Sequence, residues 1–338
     1  GSIPFCLPFS RASYRLFLAD MIYFFKKKQD GICLAGNSAP RQREDGYERQ
    51  SRIRGSVQTE GDTLLYKITG QGTPLLLIAG GGGAGDLYLP LADALARTCK
   101  VITYDRRANA GSTMNFPETF DLAQQARDVL AVLQASGESS AFVFGNSSGA
   151  VIALEFARLY PEACRGVIAH EPPLAALHPD KEKWLAFFES CYNTAFRPGG
   201  PSLAATRFLF GIQVPVFSLI RAQMKAMLYG KDEPKPAAGK ISSQAATRYL
   251  IKQELLPVTH YLPDISHVRQ NKERYLIAVG RYALQHQTFL FGAADGLCSR
   301  IGTAYRPVSG HHGSFMDNAS VWAGEMQAML QELGSTAL

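Results

Sequence analysis

The chain has 338 residues, 46% of them apolar, enough to bury one large core or two modest ones. Its formal net charge of +6 is mild for that length and comes with no basic face carrying interleaved aromatics, which argues against a nucleic-acid partner. No stretch reaches the ~18 consecutive apolar residues of a membrane span, and six scattered cysteines without a C-x-x-C pair (Cys6, Cys33, Cys99, Cys164, Cys191, Cys298) read as reduced, buried side chains in a cytoplasmic setting.

Gly1-Ser2 reads as a cleavage remnant, which puts the native start elsewhere. Residues 16–25 are apolar and aromatic, Lys26-Lys27-Lys28 follows, and a polar stretch runs on to residue 54. Residues 1–52 are therefore set apart as an N-terminal extension. It is a helix packed on the body plus a surface linker or, on a sharper reading, a helix with a basic edge that touches a membrane surface. Beyond it the pattern becomes regular. Residues 56–59 and 63–69 alternate as strands around the turn Glu60-Gly61-Asp62. Leu75-Leu76-Leu77-Ile78-Ala79 is a continuous apolar run, as in a strand buried on both faces. A glycine-rich loop, a helix over residues 87–97, a strand over 101–104 and a helix over 121–134 come next. Then follow a strand over 141–144, a helix over 150–159 that is apolar nearly all round, and a strand over 166–169. Strands alternating with helices predict a mostly parallel, doubly wound α/β sheet.

The alternation stops at residue 172. Residues 172–270 carry helical segments, including 181–194 and 203–228, and are expected to form an inserted helical cap. The core, 53–171, resumes over 271–338, with strands at 275–279 and 304–308, a helix near 287–301 and a last amphipathic helix over 319–333.

Phe144-Gly145-Asn146-Ser147-Ser148-Gly149 lies between a buried strand and a buried helix and fits G-x-S-x-G, the nucleophile elbow. The chemistry needs a serine on a sharp turn at the strand end. It also needs small residues two before and two after, so that strand and helix approach closely. The spacing selects Ser147; Ser148 is out of register, and its backbone N–H faces a developing oxyanion at the helix N-terminus instead.

With these residues placed, the stretch from about Arg54 to Leu174 resembles the core of the α/β-hydrolase superfamily. Ala79-Gly80-Gly81-Gly82 resembles the loop after the third strand, which implies Gly81, or Gly82 beside it, as the second oxyanion donor. Tyr104-Asp105-Arg106-Arg107-Ala108-Asn109-Ala110-Gly111-Ser112 resembles the D-x-R-G-x-G-x-S loop, departing from it at Ala108, and its Asp105 is read as structural. The resemblance covers most of residues 53–338 and is weakest in the helical insert.

A serine hydroxyl needs a base. His260, His267 and His286 fall in or beside helical segments and read as packing or surface residues. Ser309-Gly310-His311-His312-Gly313-Ser314-Phe315 follows the last strand and precedes the last helix, where the superfamily places its catalytic His. Ten residues beyond that His the family usually has an aromatic; from His312 this reaches Trp322, from His311 only Val321, so His312 is preferred over His311. For the acid, Asp295 is too close to His312 to leave room for a helix and a strand between them, and the residues after the strand at 275–279 hold no carboxylate. Some members carry the acid after the sixth strand, and Glu171 in His170-Glu171-Pro172-Pro173 takes that place, its loop stiffened by two prolines. Glu171 is preferred, with Asp295, or no working acid, as the alternatives; His170 is expected to point away and to serve structure.

The resulting expectation is a cofactor-free, metal-free serine hydrolase with Ser147, His312 and Glu171 as catalytic residues and the Gly81 and Ser148 N–H groups as oxyanion hole. Aromatics and methionines of the insert, such as Trp184, Phe187, Phe217 and Met224, suggest a bulky hydrophobic ester, lactone or thioester as substrate. Two readings compete. The same pocket can serve non-hydrolytic chemistry or act as a ligand receptor. Gly80 to Gly85 also spells G-x-G-x-x-G, with Asp105 further on, but a dinucleotide fold would start its helix within the glycines and bury Pro90 inside it.

Overall fold

The computed structural model describes residues 48–234 and 241–335. The expected N-terminal helix over residues 16–25, its basic edge, and Cys6 and Cys33 lie outside them.

The described residues form one eight-stranded sheet, ordered β1-β2-β4-β3-β5-β6-β7-β8. Strands β1 (Arg52–Thr59) and β2 (Asp62–Thr69) make a hairpin. Its two-residue loop, Glu60-Gly61, has positive φ at both positions, as the hairpin turn that matches strand twist requires. Strand β2 also runs antiparallel to β4 (Cys99–Tyr104). The remaining strands, β3 (Thr73–Ile78), β5 (Ala141–Asn146), β6 (Cys164–His170), β7 (Tyr275–Gly280) and β8 (Arg306–Val308), pair parallel with their neighbours.

The continuous apolar runs follow from burial on both faces. Leu75 and Leu77 enter one core while Leu76 and Ile78 enter the other. The first core is completed by α1 (Leu89–Leu95) and by the C-terminal helix described below; the second by α2 (Leu122–Ala135) and α3 (Ser148–Leu159). At ~25 cal/mol per Å² these two sandwiched layers supply the main drive for folding. Asp121 caps α2 by accepting from the Ala123 and Gln124 N–H groups. Arg107, the arginine of the D-x-R motif, is buried and donates to Asp62 at 2.5 Å and to Asp128 at 2.7 and 2.9 Å, tying the hairpin to α2.

Between β6 and β7 the described residues are helical. α4 (Lys181–Thr194) matches its expected span. The segment expected over 203–228 is divided into α5 (Gly200–Gly211) and α6 (Val216–Tyr229), which meet at a bend of 114°. The break has a local cause. Gln213 takes a positive φ and Pro215, which has no N–H, stands at the start of α6. Next come α7 (Ser243–Tyr249), a π-helical turn at Leu250–Glu254, α8 (Leu255–Thr259) and α9 (Ile265–Gln270). After β7 follow α10 (Arg281–His286), α11 (Phe289–Ile301), β8, α12 (Ser314–Asp317) and α13 (Ala319–Ser335). Strand β8 is shorter than the expected 304–308. Its Pro307 cannot donate to a ladder, so β8 survives as a short edge strand.

Candidate active site

Ser147 links the end of β5 to the start of α3 with φ 55° and ψ −122°, a region that side-chain-bearing residues avoid. The flanking glycines make this turn sterically feasible. A Cβ at Gly145 would collide with the Gly149 carbonyl, and one at Gly149 with the Ile78 carbonyl. The Ser147 N–H donates to the His170 carbonyl at 2.9 Å, which anchors the elbow to β6.

Facing the elbow is a tight turn after β3, in which Gly83 N–H donates to the Gly80 carbonyl at 2.9 Å and Gly82 takes φ 86°. Gly80 lies so close that a Cβ there would come within 3.0 Å of the Ser147 Cβ. Among the described residues neither the Gly81 N–H nor the Ser148 N–H donates to another protein group.

The loop after β8 carries both candidate bases. Helix α13 grips this loop at Ser309. Glu325 accepts from the Ser309 N–H at 3.0 and 3.1 Å, and the Trp322 indole donates to the Ser309 carbonyl at 3.1 Å. His312 Nδ1 stands 2.5 Å from Glu171 Oε2. His311 Nδ1 instead accepts from the Gly313 N–H of its own loop at 3.2 Å. Glu171 is wholly buried, takes φ 49°, and through Oε1 accepts from the Gly280 N–H at 2.9 Å. Burial opposes its charge, but the imidazoles of His170 and His312 and the Gly280 N–H outweigh burial and bring its carboxyl down to about 2. Asp295 falls within α11 and, among the described residues, forms no ion pair with a histidine. The structure thus brings Glu171 and His312 together and leaves Asp295 and His311 otherwise engaged or apart.

His170 is not turned away from this group, as the sequence suggests. It is wholly buried, its ring stacks 5.9 Å from that of His312, and its Nε2 lies 3.9 Å from Glu171 Oε1. The reason is a contact the sequence does not reveal. The Asn146 side-chain amide donates to His170 Nδ1 at 2.9 Å and to the His312 carbonyl at 3.2 Å. That bond fixes the His170 tautomer with its proton on Nε2, aimed at the carboxylate side. Burial lowers the His170 pKa to about 4, so the ring is neutral near neutral pH. Asn146 occupies a variable position of the elbow motif, so only its place beside Ser147 hints at a role.

Asp105 accepts from the Gly85 N–H at 2.8 Å and the Gly111 N–H at 3.0 Å, so it ties together the loops after β3 and β4. Burial pushes its carboxyl up to about 6. Two leucines of the insert close over the site's backbone. Leu250 lies against Gly81, and Leu219 packs on Gly313 beside His312. Among the described residues no group of three His, Cys, Asp or Glu side chains is arranged to hold a metal ion.

Residues 73–278 match the family described as alpha/beta hydrolase fold. Among curated proteins, "Uncharacterized hydrolase YraK" of Bacillus subtilis is 37% identical over 124 residues, 36% of this chain and 46% of YraK. The chain thus spans less than half the length of this relative. Among solved structures, a thermophilic esterase from Thermogutta terrifontis superposes with a TM-score of 0.61 at 17% identity, over 84% of this chain and 99% of that one. Est816, described as an N-acyl homoserine lactone degrading enzyme, gives a TM-score of 0.58 at 17% identity, over 81% of this chain and 99% of its own. These two likenesses concern the fold, whereas the family match spans most of the sheet, from β3 to β7, with the elbow and the turn after β3 that faces it. The chain belongs to the α/β-hydrolase family.

Proposed function

We propose that this protein is a serine hydrolase that cleaves an ester, lactone or thioester of a bulky hydrophobic small molecule. The reading rests on one observation above all. A wholly buried carboxylate, Glu171, holds the Nδ1 face of His312 at 2.5 Å, on the same sheet edge as a serine in a strained turn. With Nδ1 engaged, His312 has Nε2 left for proton transfer.

In the proposed reaction Ser147 Oγ attacks the acyl carbon while His312 takes its proton. The tetrahedral oxyanion is met by the Gly81 and Ser148 N–H groups, with the positive end of α3 behind Ser148. His312 then returns the proton to the leaving group, and water releases the acyl group by the same route. Glu171 keeps the imidazole in its working tautomer and stabilises the charged form. Leu219 and Leu250 present apolar surface beside the reacting atoms, which suits a hydrophobic acyl chain or ring. The helical insert acts in this reading as a cap over the site, and the lactone-degrading description of Est816 keeps lactones within the candidate set.

The test is labelling with a fluorophosphonate probe, wild type beside Ser147→Ala, with the modified peptide identified by mass spectrometry. Labelling confined to the Ser147 peptide and lost in the variant is expected. A well-folded wild type that resists the probe would turn the reading toward non-hydrolytic use of the pocket or ligand reception.

A further inference from the structure

Arg106 holds the variable position of the D-x-R motif; the motif arginine is Arg107, already committed to Asp62 and Asp128. Yet Arg106 is wholly buried, which a guanidinium tolerates only with partners that offset the loss of water. Its Nη2 donates to the Gly80 carbonyl at 2.8 Å and to the Glu254 carboxylate at 2.8 and 3.1 Å. Glu254 is itself only 1% exposed and ends the π-helical turn Leu250–Glu254 of the insert. Four residues earlier, the same turn lays Leu250 against Gly81. Such turns carry a wider, poorer hydrogen-bond pattern than an α-helix and are frequent at functional sites.

The Gly80 carbonyl and the Gly81 N–H belong to one planar trans peptide, so they point in opposite directions and move together. A charge-assisted hydrogen bond on the oxygen fixes the direction of the N–H and polarises the amide, making that N–H a stronger donor. We propose that Arg106 and Glu254 form a latch between the insert and the core that aims the Gly81 N–H, which makes Arg106 a positioning residue for the oxyanion site. This rests on the reading of Gly81 as an oxyanion donor. It implies that the insert does more than cover the substrate. When its π-helical turn is seated, the donor is aligned; when the turn lifts, Glu254 leaves Arg106, and the Arg106 bond that adds to the Gly83 N–H in fixing the Gly80–Gly81 peptide is loosened.

Removing one oxyanion donor typically costs about 10²–10³ in kcat, and misaligning one costs part of that. The test is the paired substitution Arg106→Met with Glu254→Leu, which removes both charges and leaves neither buried alone. Turnover of a medium-chain p-nitrophenyl ester and the rate of fluorophosphonate labelling are measured beside wild type. The latch predicts a kcat lower by about 10- to 100-fold, KM within about threefold, and a parallel fall in labelling rate. A folded paired variant with wild-type kcat, or one changed in KM alone, overturns it. If the pair does not fold, Arg106→Lys carries the test. The shorter ammonium keeps the charge opposite Glu254 but falls short of the Gly80 carbonyl, and roughly a tenfold loss in kcat is expected, with unchanged kcat refuting the latch. A wild type that is labelled at Ser147 and turns the ester over assigns such a failure to the latch; a wild type that does neither removes the parent reading with it.

Discussion

Ser147, the proposed nucleophile, sits in a strained turn. Its φ of 55° and ψ of −122° cost on the order of 1–3 kcal/mol for a residue with a Cβ, and only glycine adopts such angles freely. Ser147→Ala is expected to abolish ester hydrolysis and leave the fold intact. Ser147→Gly should be equally inactive yet about 1 kcal/mol more stable than the Ala variant, which paired thermal melts would read. For the acid, Glu171→Gln is expected to lower kcat/KM by about 10²–10⁴, because the amide no longer favours the working tautomer of His312. Asp295→Asn should stay within about twofold, as expected of a change away from the reacting groups. Kinetics on both variants ranks the candidates, and the reverse ranking would displace Glu171 from the site. In the same way His312→Ala should lose activity to background while His311→Ala keeps a folded, working enzyme.

At the scale of elements, the site depends on how closely β5, α3 and the β3 loop approach one another. Gly145 and Gly149 are required because backbone atoms occupy the space of their missing side chains. Gly149→Ala is expected to destabilise by about 3 kcal/mol or more, since the Ile78 carbonyl it would meet belongs to a buried strand that cannot shift cheaply. A denaturant midpoint well below that of wild type would bear this out. The split between α5 and α6 also positions the site, because α6 carries Leu219 to Gly313. Read as one continuous helix, this stretch would have lacked the bend of 114° that turns α6 away from the axis of α5.

Across the whole molecule, the insert is joined to the core by buried polar contacts as well as apolar packing. Tyr229 at the end of α6 donates to Asp93 of α1 at 2.6 Å, and Arg52 of β1 reaches the same carboxylate at 2.7 Å. Such networks hold a defined geometry but are sensitive to proton uptake. A separate sensitivity to protons comes from His170, buried at the end of β6. Its pKa falls from the ordinary 6.5 to about 4 on folding, mainly through burial, with Glu171, His312 and His311 as its ionisable neighbours. The unfolded chain therefore binds the proton more readily. The corresponding stability is fully present above pH 6.5 and is lost as pH drops through about 4, to the extent of roughly 1–3 kcal/mol. Glu171, lowered to about 2, adds a second loss at still lower pH, below 4.5. Melting curves at pH 7 and pH 5 should show a smaller drop for His170→Gln than for wild type, and equal drops would refute the assignment.

Much of this was legible in the residues themselves. Apolar runs buried on both faces, interrupted by glycine loops and amphipathic helices, dictate a parallel sheet wrapped on two sides, and the pair Gly145 and Gly149 around Ser147 dictates an elbow. These are local signals, written in steric requirements that few residues meet. The pairing of Glu171 with His312 joins residues 141 positions apart, which only the register of β6, β7 and β8 brings together. The turn of His170 toward the carboxylate is set by Asn146, and the grip of Arg106 on Gly80 by Glu254, 148 positions away. Nothing in the periodicity of any of these segments marks such contacts, because burial and hydrogen-bond satisfaction belong to the packed whole.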